Sequence, residues 1–267
     1  MSEIIAVFYG LIQGMTEFLP VSSSGHLALF PKFMNFKDPG VAFDLAMHVG
    51  TAFSIMFYFK KDIVDLFQGL ISRSKEPELL ASKAFAVNLI IATICSVLVV
   101  LLIKDYAEFY GRSSKFIAFN LIFFGVLLYI SDRFSKQDEA FSKEIVTKNK
   151  PIFSILMGFF QAIAVFPGVS RSGITITMAR FSGVSREAGA RYSFLLSLPL
   201  IFGGFIYKLL SEGEDFQFDT NYLFIGLFSS FFSGLIAIHF FLKIFKKIGV
   251  FWFSIYRIAL GLLVLML

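Results

Sequence analysis

Residues 13–26 read Gln-Gly-Met-Thr-Glu-Phe-Leu-Pro-Val-Ser-Ser-Ser-Gly-His. In a very apolar chain this short piece gathers a carboxylate, a proline, three serines, a glycine and a histidine. A second copy lies 148 positions later, where residues 158–173 read Gly-Phe-Phe-Gln-Ala-Ile-Ala-Val-Phe-Pro-Gly-Val-Ser-Arg-Ser-Gly. At this offset Gly10/Gly158, Gln13/Gln161, Phe18/Phe166, Val21/Val169, Ser22/Ser170, Ser24/Ser172 and Gly25/Gly173 are identical. The differences are Glu17/Val165, Ser23/Arg171 and His26/Ile174. One copy carries the acid and the imidazole; the other carries the guanidinium.

Hydrophobic residues make up 57% of the chain and charged residues 16%, and the mean hydropathy is +0.76. That is too little charge to cover a soluble domain, and the long repeated apolar runs predict an all-α polytopic membrane protein. The formal charge of +5 is not read as nucleic-acid binding, because in a membrane protein the placement of basic residues matters more than their sum. The single Cys95 excludes a disulfide framework and reads as a small hydrophobe. No removable signal peptide is expected.

The first apolar run, residues 4–18, is short of the roughly 20 residues a full span needs. It meets Pro20 and the serines, and a second short piece follows from Leu27 to Phe36. This predicts a re-entrant hairpin over 2–36, with one kinked spanning helix as the alternative; such a break survives only where it is buried in protein or lines a wet cavity. Spans are expected at 41–59, 84–103 and 115–131, which completes a first repeat of residues 1–132. A polar connector, 133–150, separates the halves. The second repeat, 151–267, has its own hairpin over 151–181 and spans at 188–210, 221–242 and 248–267. Six transmembrane helices plus two hairpins result. Three spans per half is an odd number, so the halves have inverted topology, and in such folds broken helices build the working site near the midplane.

Sixteen of the 24 Lys and Arg residues fall on one side of this layout, in the segments 60–83, 133–150, 180–191 and 243–247. Six fall on the other, and Arg171 and Arg257 are the remaining two. The basic side is assigned to the cytoplasm. Both termini, the opening of the first hairpin and the acidic residues Glu212, Glu214, Asp215 and Asp219 are then external.

A half-helix beginning just after each turn points its free N–H groups and positive dipole end at that turn. Two such ends facing each other make an anion site. Ser22, Ser23, Ser24, Ser170 and Ser172 add hydroxyls, Gly25 and Gly173 allow close backbone approach, and Arg171 adds a fork suited to phosphate oxygens. A guanidinium at membrane depth reads as functional by default; the competing reading is a structural Arg171–Glu17 ion pair. A carboxylate beside a phosphate site repels the ligand unless a divalent cation lies between them, so Glu17 is a candidate metal ligand, with Gln13 at i−4 supplying a carbonyl oxygen. His26 is a candidate acid, base or nucleophile. Asp44 and His48 share a helix face by their i,i+4 spacing and are candidates to line the same cavity. His239 reads as structural.

These stretches resemble the two signatures of the bacterial undecaprenyl-diphosphate phosphatases of the bacitracin-resistance type. The length, the span pattern and the run Tyr-Ser-Phe-Leu-Leu-Ser-Leu-Pro at 192–199 agree with that family. The resemblance implies a substrate: a C55 polyprenyl diphosphate hydrolysed to the monophosphate carrier and inorganic phosphate, with a divalent metal, Mg2+ or Ca2+. It implies a catalytic set of Glu17, Ser23, His26 and Arg171, and phosphate-binding positions at Ser22, Ser170, Ser172 and Thr175. Many members have a second Glu where this chain has Gln13; compensation by His48 or Asp44 is the expectation.

The sequence therefore points to a phosphoanhydride hydrolase in the bacterial inner membrane. Ser23 is the expected nucleophile with His26 moving its proton; a metal-activated water with His26 as base is the competing route. Partners are the lipid substrate and the bilayer, no nucleic acid, with a homodimer left open. The rival function is a transporter of polyprenyl phosphate that uses the same inverted-repeat cavity.

Overall fold

The computed structural model describes residues 2–36, 38–111, 113–136, 138–212 and 220–266. The chain winds through α1 (Glu3–Glu17), α2 (Ser23–Met34), α3 (Val41–Tyr58), α4 (Lys60–Ile71), α5 (Pro77–Tyr110), α6 (Ser114–Phe134), α7 (Glu139–Thr147), α8 (Pro151–Ile163), α9 (Arg171–Phe181), α10 (Arg186–Glu212), α11 (Thr220–Ile248) and α12 (Phe251–Met266). The described residues form helices and turns, without strands. The protein is an all-α polytopic membrane protein.

Both short apolar runs end at the motif turns as the sequence reading expects. The hydroxyl of Tyr9 in α1 donates to the carbonyl of Leu27 in α2 at 3.4 Å, and the Tyr9 ring lies edge-on to Phe30 at 5.4 Å. Residues eighteen apart on one continuous helix would be about 27 Å apart, so α2 folds back along α1 and the kinked-helix alternative does not hold. In the second half α8 and α9 also pack on one another.

Among the described residues four helices, α5, α6, α10 and α11, are long and apolar enough to cross a membrane. Helices α3 and α4 pass that test only together, bent by 79° at their junction, and α12 is shorter. By length and composition the described residues therefore supply four or five spans, against the six expected. One expectation is corrected. Residues 60–83, read as a loop, contain α4 and the start of α5. The segment Lys60–Ile71 is amphipathic rather than apolar throughout, and Ile63 and Leu66 pack on the main core, a pattern that a search for continuous apolar runs passes over. Helix α5 has 34 residues, about 51 Å at 1.5 Å per residue, so it extends well beyond its apolar middle. The connector, for which a surface loop or an interfacial helix is expected, contains α7. Of the acidic residues assigned to the outer side, Glu214, Asp215 and Asp219 lie outside the described residues.

The halves interlock. Helix α1 packs along α11, α8 along α5 and α12 along α6, so each hairpin's incoming helix lies on the second long helix of the other half. Small residues make this approach close. A Cβ added at Gly14 would meet the Ser230 carbonyl oxygen at 2.6 Å and the Gly234 nitrogen at 2.7 Å. The Ser233 hydroxyl on α11 donates to the Gly10 carbonyl at 3.2 Å, and Ser96 on α5 donates to the equivalent Gly158 carbonyl at 2.9 Å. The interlock brings the turns before α2 and α9 together.

Candidate active site

Each turn ends in a serine N-cap held in an unusual backbone conformation. Ser22 has φ 75° and Ser170 has φ 72°. With Asn35 they are the non-glycine residues of positive φ among those described, and such strain persists where the surroundings over-determine it. The Ser22 hydroxyl accepts from the Gly25 N–H at 3.3 Å, and the Ser170 hydroxyl accepts from the Gly173 N–H at 3.1 Å. The hydroxyls of Ser22 and Ser24 lie 3.4 Å apart, and those of Ser170 and Ser172 lie 3.3 Å apart. The repeat seen in the sequence is a repeat of capping geometry.

Glu17, buried at the end of α1, joins the two copies. Its Oε1 accepts from an Arg171 terminal nitrogen at 2.7 Å. Its Oε2 accepts from the Ser23 hydroxyl at 2.5 Å and from the Gln13 amide at 3.0 Å. Ser23 and Arg171, equivalent positions in the two copies, thus meet on one carboxylate, and the competing Arg171–Glu17 ion pair is present. The second Arg171 terminal nitrogen donates to the Ser193 carbonyl at 3.2 Å. Thr175 lies 2.7 Å from the Ser193 hydroxyl, and Ser172 donates to the Leu19 carbonyl of the first turn at 3.1 Å.

His26 departs from expectation. Its Nδ1 is 2.7 Å from the Ser22 carbonyl oxygen, which only accepts, so Nδ1 carries a proton. Its Nε2 is 2.7 Å from the Tyr256 hydroxyl, and the two rings stack with planes 4° apart. Both ring nitrogens are engaged away from Ser23, whose hydroxyl donates to Glu17 instead. The reason is local: Nδ1 bonds back to the carbonyl four residues earlier, at the N-cap, and this turns the ring towards α12.

His48 joins the cluster, with Nε2 at 3.4 Å from Glu17 Oε2. Asp44 contributes its backbone carbonyl, which accepts from His48 Nδ1 at 2.7 Å. His239 packs its ring against Phe240 and Tyr58, as a structural residue would. Cys95 is partly exposed rather than buried, and its thiol donates to the Ile155 carbonyl.

Over these contacts the chain matches the bacitracin resistance protein BacA family across residues 6–263. The chain belongs to that family. It is also 40% identical over 258 residues to a protein of Marinobacter nauticus (strain ATCC 700491 / DSM 11845 / VT8) named undecaprenyl-diphosphatase, with 96% of this chain and 95% of the relative covered.

In this BacA-family chain Arg257 is a site residue that the sequence reading counted without assigning a role. It is fully buried, and its guanidinium donates to the carbonyls of Gly168 and Val169, both at 2.8 Å, and of Pro20 at 3.3 Å. It therefore ties one turn to the other through backbone oxygens. A Cβ at Gly173 would lie 2.6 Å from one of its terminal nitrogens. The signal was available, since a lone arginine inside an apolar span demands partners. Tyr256 and Ser193 carried no comparable signal.

Among the described residues no group of three or more His, Cys, Asp or Glu side chains converges. Glu17 nevertheless fits a hard cation of the kind that takes one or two carboxylates and completes its shell with phosphate oxygens. Beside it the Gln13 Oε1, fully buried, has no hydrogen-bond partner. A buried polar atom without a partner calls for an explanation, and a cation held beside Glu17 would supply one.

Proposed function

We propose that this chain hydrolyses a polyprenyl diphosphate of the undecaprenyl class to the monophosphate and inorganic phosphate within the bacterial inner membrane. The observation that carries the reading is the meeting of Ser23, Glu17 and Arg171 between two helix N-termini. One carboxylate there holds both a hydroxyl and a guanidinium, and the undecaprenyl-diphosphatase of Marinobacter nauticus resembles the chain throughout its length.

The terminal phosphate sits between the N-termini of α2 and α9, where backbone N–H groups and the serine hydroxyls receive its oxygens. Arg171 exchanges Glu17 for phosphate oxygens as the substrate enters, so ligand binding opens the ion pair. The Ser23 hydroxyl attacks the phosphorus. Glu17, to which that hydroxyl already donates, takes its proton; a carboxylate has about four lone-pair sites, enough to serve the serine and a cation together. Lipid monophosphate departs, and water releases phosphate from the serine. His26 keeps Nε2 as its basic atom because Nδ1 is tied to Ser22, which suits it to take the water's proton. Glu17 and Gln13 would hold a divalent cation, Mg2+ or Ca2+, which when bound supplies charge neutralisation at the diphosphate. The site opens to the outer face, opposite the basic loops.

Rapid acid quench with substrate labelled in the terminal phosphate tests the assignment. The expected result is a labelled wild-type protein and an unlabelled Ser23→Ala variant. Label retained in that variant would remove Ser23 as nucleophile.

A further inference from the structure

His48 turns one ring nitrogen towards the Glu17 carboxylate. The carbonyl oxygen of Asp44 lies 2.7 Å from Nδ1; a carbonyl only accepts, so Nδ1 bears hydrogen and a neutral ring presents a bare lone pair at Nε2. That lone pair faces Glu17 Oε2 at 3.4 Å. Two lone pairs at this separation repel unless a positive charge lies between them. A separation of 3.4 Å suits two adjacent ligands of one metal ion, each roughly 2.0–2.4 Å from it.

A third donor stands beside them. Gln13 Oε1 is buried without a partner, while the nitrogen of the same amide lies 3.0 Å from Glu17 Oε2. Turning the amide over exchanges the two atoms and presents the orphaned oxygen where the nitrogen now stands. Gln13, Glu17 and His48 then converge as one amide oxygen, one carboxylate oxygen and one imidazole nitrogen.

We propose that His48 is a direct ligand of the divalent cation, taking the place of a second carboxylate, and that it biases the site towards first-row transition ions over Mg2+ and Ca2+. Mg2+ and Ca2+ favour all-oxygen shells, whereas imidazole suits the later ions. Asp44 acts through its backbone carbonyl, which fixes the ring so that Nε2 points at the ion. The cation's part in hydrolysis rests on the phosphatase reading; the identity of its ligands does not.

The test uses Mn2+ alone with the purified full-length protein in lipid nanodiscs, followed by electron paramagnetic resonance. The chain has three histidines, so a nitrogen coupling is assignable by substitution. The expected result is one bound Mn2+ with a 14N modulation that is lost in His48→Gln, where Mn2+ affinity falls about 10- to 100-fold. Ca2+ affinity should fall less than Mn2+ affinity. Gln13→Ala should weaken binding and keep the modulation, and His239→Gln should change neither. A modulation that persists in His48→Gln, or an unchanged Mn2+ affinity there, would overturn the proposal and leave the contact as a proton-held pair. Should wild-type protein bind Mn2+ through His48 yet release no phosphate from a polyprenyl diphosphate, the phosphatase reading would fail and the ligand assignment would stand.

Discussion

Glu17 accepts at least three hydrogen bonds within the membrane, and they come from both halves of the chain. A buried carboxylate is tolerable only when paired and hydrogen-bonded, so its partners are fixed as firmly as the charge itself. The same logic gives Tyr256 a task. Its hydroxyl meets His26 Nε2 while Ser22 fixes Nδ1, so the phenol decides where the basic atom points. Tyr256→Phe keeps the stacked ring and removes the hydroxyl. It is expected to lower kcat about 5- to 10-fold, roughly the 1–1.4 kcal/mol of one hydrogen bond, with KM within about twofold. In a His26→Ala background the same change should cost nothing further; equal losses in both backgrounds would show that Tyr256 acts independently of His26. At this scale the sequence was informative wherever a polar side chain stood against apolar neighbours, as Glu17, Ser23, His26 and Arg171 do. It was silent on Tyr256, because a tyrosine in a membrane helix is ordinary and its partner lies 230 residues away. It was also silent on how Ser23 and His26 divide their hydrogen bonds, which the capping geometry settles locally.

Helices α1 and α11 explain how the site residues are held in place. Gly10 and Gly14 are one turn apart and face the backbone of α11, and α1 also carries Gln13 and Glu17. An alanine at position 14 would meet backbone atoms of Ser230 and Gly234 below 3.0 Å, and backbone cannot swing aside. Gly14→Ala is therefore expected to push α1 off α11, to cost about 1–3 kcal/mol of stability as overpacking does, and to reduce activity at least tenfold by displacing Glu17. Thermal unfolding in detergent and a turnover assay read both effects; a variant with unchanged Tm and rate would contradict this packing. Helices α1, α5, α6, α8, α10 and α11 were legible because their apolar runs are continuous. Helix α4 and the ends of α5 were not, because amphipathic segments at a membrane edge carry their apolar residues on one face only.

Over the whole molecule the two copies of the motif make one site from two turns. The topology expected from the basic residues puts Lys143 of the connector on the cytoplasmic face and Lys115 on the outer face. Single cysteines at these positions, in a Cys95→Ser background, should react with a membrane-impermeant maleimide from opposite sides of the membrane. Labelling from the same side would break the inverted topology. The repeat itself was legible from the constant offset, but the interlock was not: nothing in the spacing says that α1 lies along α11 rather than within its own half. Contacts between small residues decide that, and they become visible only in three dimensions.

The central claim is that the two turns act as one catalytic unit through Glu17 and Arg171. The most direct measurement is phosphate release from C55 diphosphate by wild-type protein, Glu17→Gln, Arg171→Ala and the double variant. Each single change is expected to reduce kcat/KM by about 10²–10³-fold, and the double variant should be little worse than either, as for residues that act as a unit. Losses that multiply in the double variant, or an Arg171→Ala enzyme near wild-type rate, would contradict the claim.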